Sequence, residues 1–131
     1  MSGRAIFHLS FPVRDLDESI AFYTAILGGT LGRCEPAWAD IALFGAQVTL
    51  QLVPGDVQEP MPRSRHFGAT LDWAEWEIVT AGLGSFIEGP WIDYTGEPRE
   101  QAKAMIADPS GNLIELKAYR CPETVLGALA G

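Results

Sequence analysis

Residues 6–29 read IFHLSFPVRDLDESIAFYTAILGG and contain the signals of the first two structural elements. The first eight residues alternate between apolar and polar, as a half-buried strand does, and His8 lies on the polar face. The next sixteen predict a helix, because Asp15 can cap its first turn with Glu18 three residues on, and a Gly-Gly pair ends it. This stretch therefore predicts a strand followed directly by a helix.

Three short apolar segments follow the helix and are separated by Pro, Asp and Gly. They read LGRCEPAWAD (31–40), IALFG (41–45) and AQVTLQLV (46–53), and we interpret them as antiparallel strands joined by hairpins. Residues 54–65 carry three prolines and no apolar periodicity, which indicates a connector. Module one, residues 5–53, is therefore βαβββ.

The same order of elements restarts at His66. The segments are HFGATLDW (66–73, strand), AEWEIVTAGL (74–83, helix), and the strands GPWIDYTG (89–96), EQAKAMIAD (100–108) and NLIELKAY (112–119). Module two spans residues 66–119 and leaves a C-terminal tail at 120–131. Two copies are too few for a solenoid. We therefore predict one α+β domain, residues 1–131, in which two βαβββ modules pair into a curved, partly open, barrel-like mixed sheet around a cleft.

Composition and charge exclude several functions. The formal net charge is −8 and the nine basic residues are scattered, which argues against a nucleic-acid partner. No apolar run is long enough for a membrane span, and the start does not read as a secretion signal. We therefore expect a cytoplasmic protein without membrane association. Cys34 and Cys121 are too far apart for a CxxC motif and are interpreted as free thiols.

Three side chains that can bind metals occupy matching positions in the two modules. His8 and His66 both lie in the first strand of a module, about one repeat length apart. Glu115 stands between Ile114 and Leu116 and points to the polar face of the last strand. Each of the three, taken singly, is more often an ordinary exposed or hydrogen-bonded strand residue. Taken together, two imidazoles and one carboxylate suit a divalent first-row metal with open positions for a substrate.

The chain resembles the vicinal oxygen chelate superfamily, which includes glyoxalase I, bleomycin resistance proteins and extradiol dioxygenases. The resemblance covers residues 6–119 and rests on FHLSFPVRDLDESIAFYTAILG, HFGATLDW and GEPREQAKAMIADPSGNLIELKAY. Its most specific part is the turn at 108–112, which leads to Glu115. Within the superfamily the chain is most similar to small predicted dioxygenases of the extradiol type. The resemblance implies that His8, His66 and Glu115 hold a divalent metal in the cleft, with Fe(II) favoured and Mn, Zn, Ni or Co as alternatives.

The implied activity is that of a metal-dependent, extradiol dioxygenase-like enzyme acting on a small molecule that chelates the metal through adjacent oxygens. The alternatives are a metal-dependent isomerase or lyase of the same superfamily, or a metal-free, drug-sequestering protein of the bleomycin resistance type. Glyoxalase I activity is disfavoured. Its members generally place a carboxylate where this chain has Thr49 or Gln51, and neither side chain titrates near neutral pH. Catechol-cleaving members usually carry a further histidine, and this chain has only two.

The candidates for lining the substrate pocket are Thr49, Gln51, Thr70, Arg99 and Gln101, and no residue is assigned to proton transfer. The superfamily usually forms homodimers, so we expect a homodimer. His8 can then meet His66 of its own chain or of a partner. His66 and Glu115 belong to one module and are expected to meet within one chain.

Overall fold

The computed structural model describes residues 5–130, so residues 1–4 and 131 of the predicted domain lie outside the described residues. The strands are β1 (His8–Val13), β2 (Thr30–Glu35), β3 (Trp38–Leu43), β4 (Ala46–Leu52), β5 (His66–Thr70), β6 (Glu88–Asp93), β7 (Gln101–Ala107) and β8 (Leu113–Tyr119). The α-helices are α1 (Leu16–Ala21), α2 (Trp73–Ala81) and α3 (Pro122–Leu126). A π-helical turn (Phe22–Ile26) continues α1, and 3₁₀ turns lie at Pro54–Asp56 and Gly127–Ala130. The predicted order, βαβββ twice, and the α+β class are confirmed.

The strands form two four-stranded mixed sheets with the same topology. Their orders are β1-β4-β3-β2 and β5-β8-β7-β6. In each sheet the first strand of the module pairs in parallel with the last, and the other neighbours are antiparallel. The repeat read from the sequence is thus a repeat of strand pairing as well.

The described chain divides into two compact units. Unit one contains residues 5–61 together with Asp108–Asn112, and unit two contains residues 62–107 and 113–130. The turn Asp108–Asn112 connects β7 to β8, which are two strands of unit two. Its contacts nevertheless place it in unit one.

The core of unit one forms around α1 and the π-helical turn that follows it. Asp15 caps α1 as predicted, and its Oδ1 accepts a hydrogen bond from the Glu18 amide at 2.8 Å. Tyr23 is fully buried, and its hydroxyl donates to Asp108 Oδ2 at 2.7 Å. Burial, and then the Asp108 charge, raise the pKa of Tyr23 well above its ordinary value. The hydroxyl therefore stays protonated at neutral pH and remains a hydrogen-bond donor. Tyr23 is a packing residue of the core.

The sheet of unit two has one apolar face and one polar face. Along β8, Ile114 and Leu116 are fully buried, whereas Glu115 and Lys117 are intermediate. Trp76 of α2 is buried in this unit, and its indole Nε1 donates to the Leu116 carbonyl at 2.8 Å. The opposite, polar face carries the candidate site.

One predicted strand boundary was wrong. The sequence suggested a break after Asp40, but β3 runs without interruption from Trp38 to Leu43, and the turn lies at residues 36–37. Asp40 does not break the strand because its carboxylate accepts hydrogen bonds inside the fold. The described part of the C-terminal tail, residues 120–130, contains α3 and a 3₁₀ turn.

Two further predictions concern the surface of the chain. Cys34 and Cys121 are free, as expected. Among residues 5–130, no helix has the length and apolar character needed to cross a membrane.

Candidate functional site

The polar face of the unit two sheet brings two of the predicted metal ligands together. In the parallel pairing of β5 with β8, His66 is in register with Leu113 and Gly68 with Glu115. His66 Nε2 lies 3.8 Å from Glu115 Oε1, and the two side chains are 35% and 19% exposed. These two predicted ligands therefore lie close together within one chain.

A backbone hydrogen bond orients the His66 ring. Its Nδ1 lies 2.7 Å from the carbonyl oxygen of Arg63. A carbonyl oxygen can only accept, so Nδ1 carries the hydrogen, and Nε2 of the neutral ring keeps its lone pair towards Glu115. Metal-binding histidines usually donate their other ring N–H in this manner.

His8 has the same arrangement in unit one. It begins β1, and its Nδ1 lies 3.2 Å from the carbonyl oxygen of Gln47, its register partner on β4. The same reasoning leaves Nε2 of His8 as the nitrogen with a lone pair. The two histidines thus offer the same atom from the same position of the repeat.

The residues fit a divalent metal through the pair rather than through a complete set. His8 belongs to unit one, and His66 and Glu115 belong to unit two. Within the described residues, no three His, Cys, Asp or Glu side chains are grouped closely enough to hold a metal. Imidazole nitrogen and carboxylate oxygen bond such ions at about 2.0–2.2 Å, so one ion can reach both atoms across 3.8 Å.

An open depression of about 200 Å³ adjoins the pair. It is lined by β5 together with Glu115 and Lys117 of β8. Lys117 Nζ lies 3.8 Å from Glu115 Oε1, the same oxygen that faces His66. The depression therefore presents a histidine, a carboxylate and an ammonium group to a ligand.

Only one of the three predicted pocket residues of unit two lines the depression. Thr70 lines the depression, whereas Arg99 and Gln101 are not among the described residues that line it. The Arg99 guanidinium stacks over the Tyr94 ring at 3.8 Å, and its Nε donates to Glu97 at 3.0 Å. Gln101 is in register with Tyr119, four residues along β8 from Glu115.

The strand register shows which residue of unit one, Thr49 or Gln51, corresponds to Glu115. Ser10 pairs with Thr49 as Gly68 pairs with Glu115, so Thr49 is the counterpart of Glu115. Gln51 lies two residues further on, and its Nε2 donates to Ser10 Oγ at 3.3 Å.

Asp40 is a buried carboxylate whose role was not predicted from the sequence. It is in register with Thr49 and only 4% exposed. Its carboxylate accepts from Thr49 Oγ1 at 2.7 Å and from Arg33 Nε at 2.6 Å. The Thr49 hydrogen bond is the largest cause that lowers the pKa of Asp40, and Arg33 and the charge of His8 add to it against the opposing effect of burial. Asp40 thus stays ionised and is a weak base.

The alternation of Ala39 and Ile41 around Asp40 was the sequence signal that could have revealed this buried carboxylate.

Asp40→Asn is expected to remove part of the acid sensitivity of the protein. Because the folded-state pKa of Asp40 lies below its ordinary value of 3.8, the stabilisation is complete above that value and is lost as pH falls through the folded-state pKa. The free energy of unfolding should therefore decline less steeply below pH 3.8 in the variant than in the wild type, measured by urea denaturation across a pH series. Asp56→Asn, at an exposed position, should keep the wild-type slope. Equal slopes for wild type and Asp40→Asn would show that the hydrogen-bonded carboxylate is not stabilising.

Two βαβββ modules, each with a histidine at the start of its first strand, define a fold of the vicinal oxygen chelate type. Residues 5–116 match the profile of the Glyoxalase/Bleomycin resistance protein/Dioxygenase superfamily, and the chain belongs to that family.

Individual relatives agree with this assignment. Virulence protein STM3117 of Salmonella typhimurium is 30% identical over 122 residues, which cover 86% of this chain and 82% of that protein. A crystal structure of a glyoxalase/bleomycin resistance protein/dioxygenase from Alicyclobacillus acidocaldarius has 28% identity and a TM-score of 0.79, covering 92% of this chain and 96% of its own. The genomically encoded fosfomycin resistance protein FosX of Listeria monocytogenes, at 20% identity, shares the fold with a TM-score of 0.73 over 95% of this chain and 99% of its own.

Proposed function

We propose that this protein is a divalent-metal-dependent enzyme, extradiol dioxygenase-like, that acts on a small molecule chelating the metal through adjacent oxygens. The observation that supports it is the pair His66 and Glu115, with Nε2 and Oε1 3.8 Å apart and the ring fixed by the Arg63 carbonyl. His8 is proposed as the third ligand, from the same chain or from a second copy in a homodimer. Two histidines and one carboxylate favour Fe(II), with Mn, Zn, Ni or Co as alternatives.

The groups around His66 and Glu115 would have two roles, which are to orient the metal ligands and to bind the substrate. When bound, the metal would act as a Lewis acid on the coordinated substrate oxygens. The Arg63 carbonyl holds the His66 ring, and Thr70 and Lys117 supply hydrogen-bond donors to the depression. Thr49, at the position that corresponds to Glu115, does not titrate near neutral pH. This arrangement favours dioxygenase-like chemistry over a glyoxalase-type proton transfer by a carboxylate in unit one.

Metal binding by variants of the two histidines tests the proposal. Chelator-treated wild-type protein is titrated with Fe(II) under nitrogen and with Mn(II) or Zn(II). It is expected to bind one ion for each set of His8, His66 and Glu115. His66→Ala and His8→Ala should each lose this ion, because either change removes a ligand nitrogen. Arg63→Ala keeps the carbonyl that orients His66 and serves as the matched control. Wild-type protein that binds none of these ions, or histidine variants that bind them as wild type does, would contradict the proposal.

With a substrate that the protein converts, oxygen uptake distinguishes a dioxygenase from an isomerase or lyase. A dioxygenase consumes dioxygen in proportion to product, whereas an isomerase or lyase converts substrate equally well without it. A metal-free sequestering protein would bind its ligand unchanged in the presence of chelator.

A further inference from the structure

Both lysines of this chain lie on the polar face of the unit two sheet and directly oppose each other. The sequence has lysine only at positions 103 and 117, and the two are in register across β7 and β8. Their side chains are 33% and 38% exposed. Like charges directly opposite on neighbouring strands destabilise a sheet. This chain of net charge −8 thus has both of its lysines directly opposite each other on neighbouring strands.

The two lysines form the centre of a row across the sheet. Thr70 is in register with Lys117, and Trp91 with Lys103, and we call these four residues the lysine row. Lys117 lines the depression beside His66, and Lys103 lines an adjacent small cavity together with Glu115 and Trp91. The Lys103 ammonium lies 5.6 Å from the centroid of the Trp91 ring. The lysine row thus borders the candidate metal ligand on one side.

Among residues 5–130, each lysine forms an ion pair with one carboxylate. Lys103 Nζ lies 3.4 Å from Asp93 Oδ2, and Lys117 Nζ lies 3.8 Å from Glu115 Oε1. The partner of Lys117 is the oxygen that also faces His66. A ligand that neutralises Glu115 therefore removes the charge that balances Lys117.

We propose that the lysine row binds an oxyanion of the substrate, of the carboxylate or phosphate type, next to His66 and Glu115. This inference rests on the proposed function and deepens it, since the substrate then carries an anionic group in addition to its adjacent oxygens. Lysine binds carboxylate and phosphate as a point charge, and the Thr70 hydroxyl offers a further donor. Engagement of Glu115 by a metal strengthens anion binding, because Lys117 then has no competing carboxylate.

Calorimetric titration with inorganic phosphate, and separately with acetate, tests the lysine row in chelator-containing buffer. Without metal, Glu115→Gln should bind the anion about tenfold more tightly than wild type, because Lys117 is released from its ion pair. Combining Glu115→Gln with Lys117→Gln or with Lys103→Gln should abolish this gain. Glu77→Gln on α2 removes an equal negative charge, and Arg14→Gln in unit one removes an equal positive charge, so both serve as controls. Circular dichroism confirms that each variant is folded.

A gain that appears in Glu115→Gln and disappears with either lysine change supports the inference, and the anion with the larger gain identifies the chemical class. The absence of a gain with both anions, or a gain that survives both lysine changes, overturns it. These titrations contain no metal. Failure of the proposed function would instead appear as unaltered metal uptake in the histidine variants or as no uptake by the wild type.

Discussion

Replacing Gly68 with alanine is expected to lower the free energy of unfolding by about 3 kcal/mol or more and to abolish metal binding. A Cβ atom at position 68 would collide with the backbone carbonyl of Glu115, its register partner on β8. A collision with backbone atoms cannot be relieved by a change of rotamer, so β5 and β8 would have to separate. His66 and Glu115, which lie on these two strands, would move apart with them.

Urea denaturation of Gly68→Ala and Gly55→Ala, side by side, measures this effect. A Cβ at position 55 meets no atom within 4 Å, so Gly55→Ala should stay within about 0.5 kcal/mol of wild type. If the two variants had equal free energies of unfolding, the close approach of β5 to Glu115 would be disproved.

Changing Glu115 to glutamine is expected to weaken divalent-metal binding by about 100-fold or more. Loss of a group that merely orients a ligand already costs about 10- to 100-fold, and this change removes the proposed anionic ligand itself. Glutamine has nearly the same shape, so the fold should persist. Competition with a chromophoric chelator measures the metal affinity of the variant.

Glu77→Gln separates the loss of a ligand from the loss of one negative charge. Its side chain is exposed on α2, and we expect its metal affinity to match that of the wild type. If Glu115→Gln also bound metal with wild-type affinity, Glu115 would not be a ligand, and the site would have to be sought elsewhere.

The elements of this fold could be predicted because their signals are local. The alternation around His8, the cap at Asp15 and the restart at His66 each depend on a few neighbouring residues. The polar orientation of Glu115 followed from the same alternation. Its contact with His66 required one further assumption, that the first and last strands of a module are neighbours.

Strand register could not be predicted, and the rest of the site depends on it. Periodicity fixes the face of a residue but not its partner on the next strand. The equivalence of Thr49 with Glu115 and the opposition of Lys103 and Lys117 appear only in the pairing. Asp40 was missed for another reason. A polar residue between short apolar runs resembles a turn, which hid the alternation of Ala39 and Ile41 around it, and its pairing with Thr49 depends on strand register.

The turn Asp108–Asn112 means that a cut between the two repeats would separate unit one from part of its own hydrogen bonding. A fragment ending at residue 61 would contain the whole first repeat but would lack two acceptors that its own groups use. The Tyr23 hydroxyl would lose Asp108, and the Arg14 amide would lose Ser110 Oγ at 3.0 Å. Two repeats can be recognised in the sequence, yet the first uses hydrogen-bond acceptors that lie within the second.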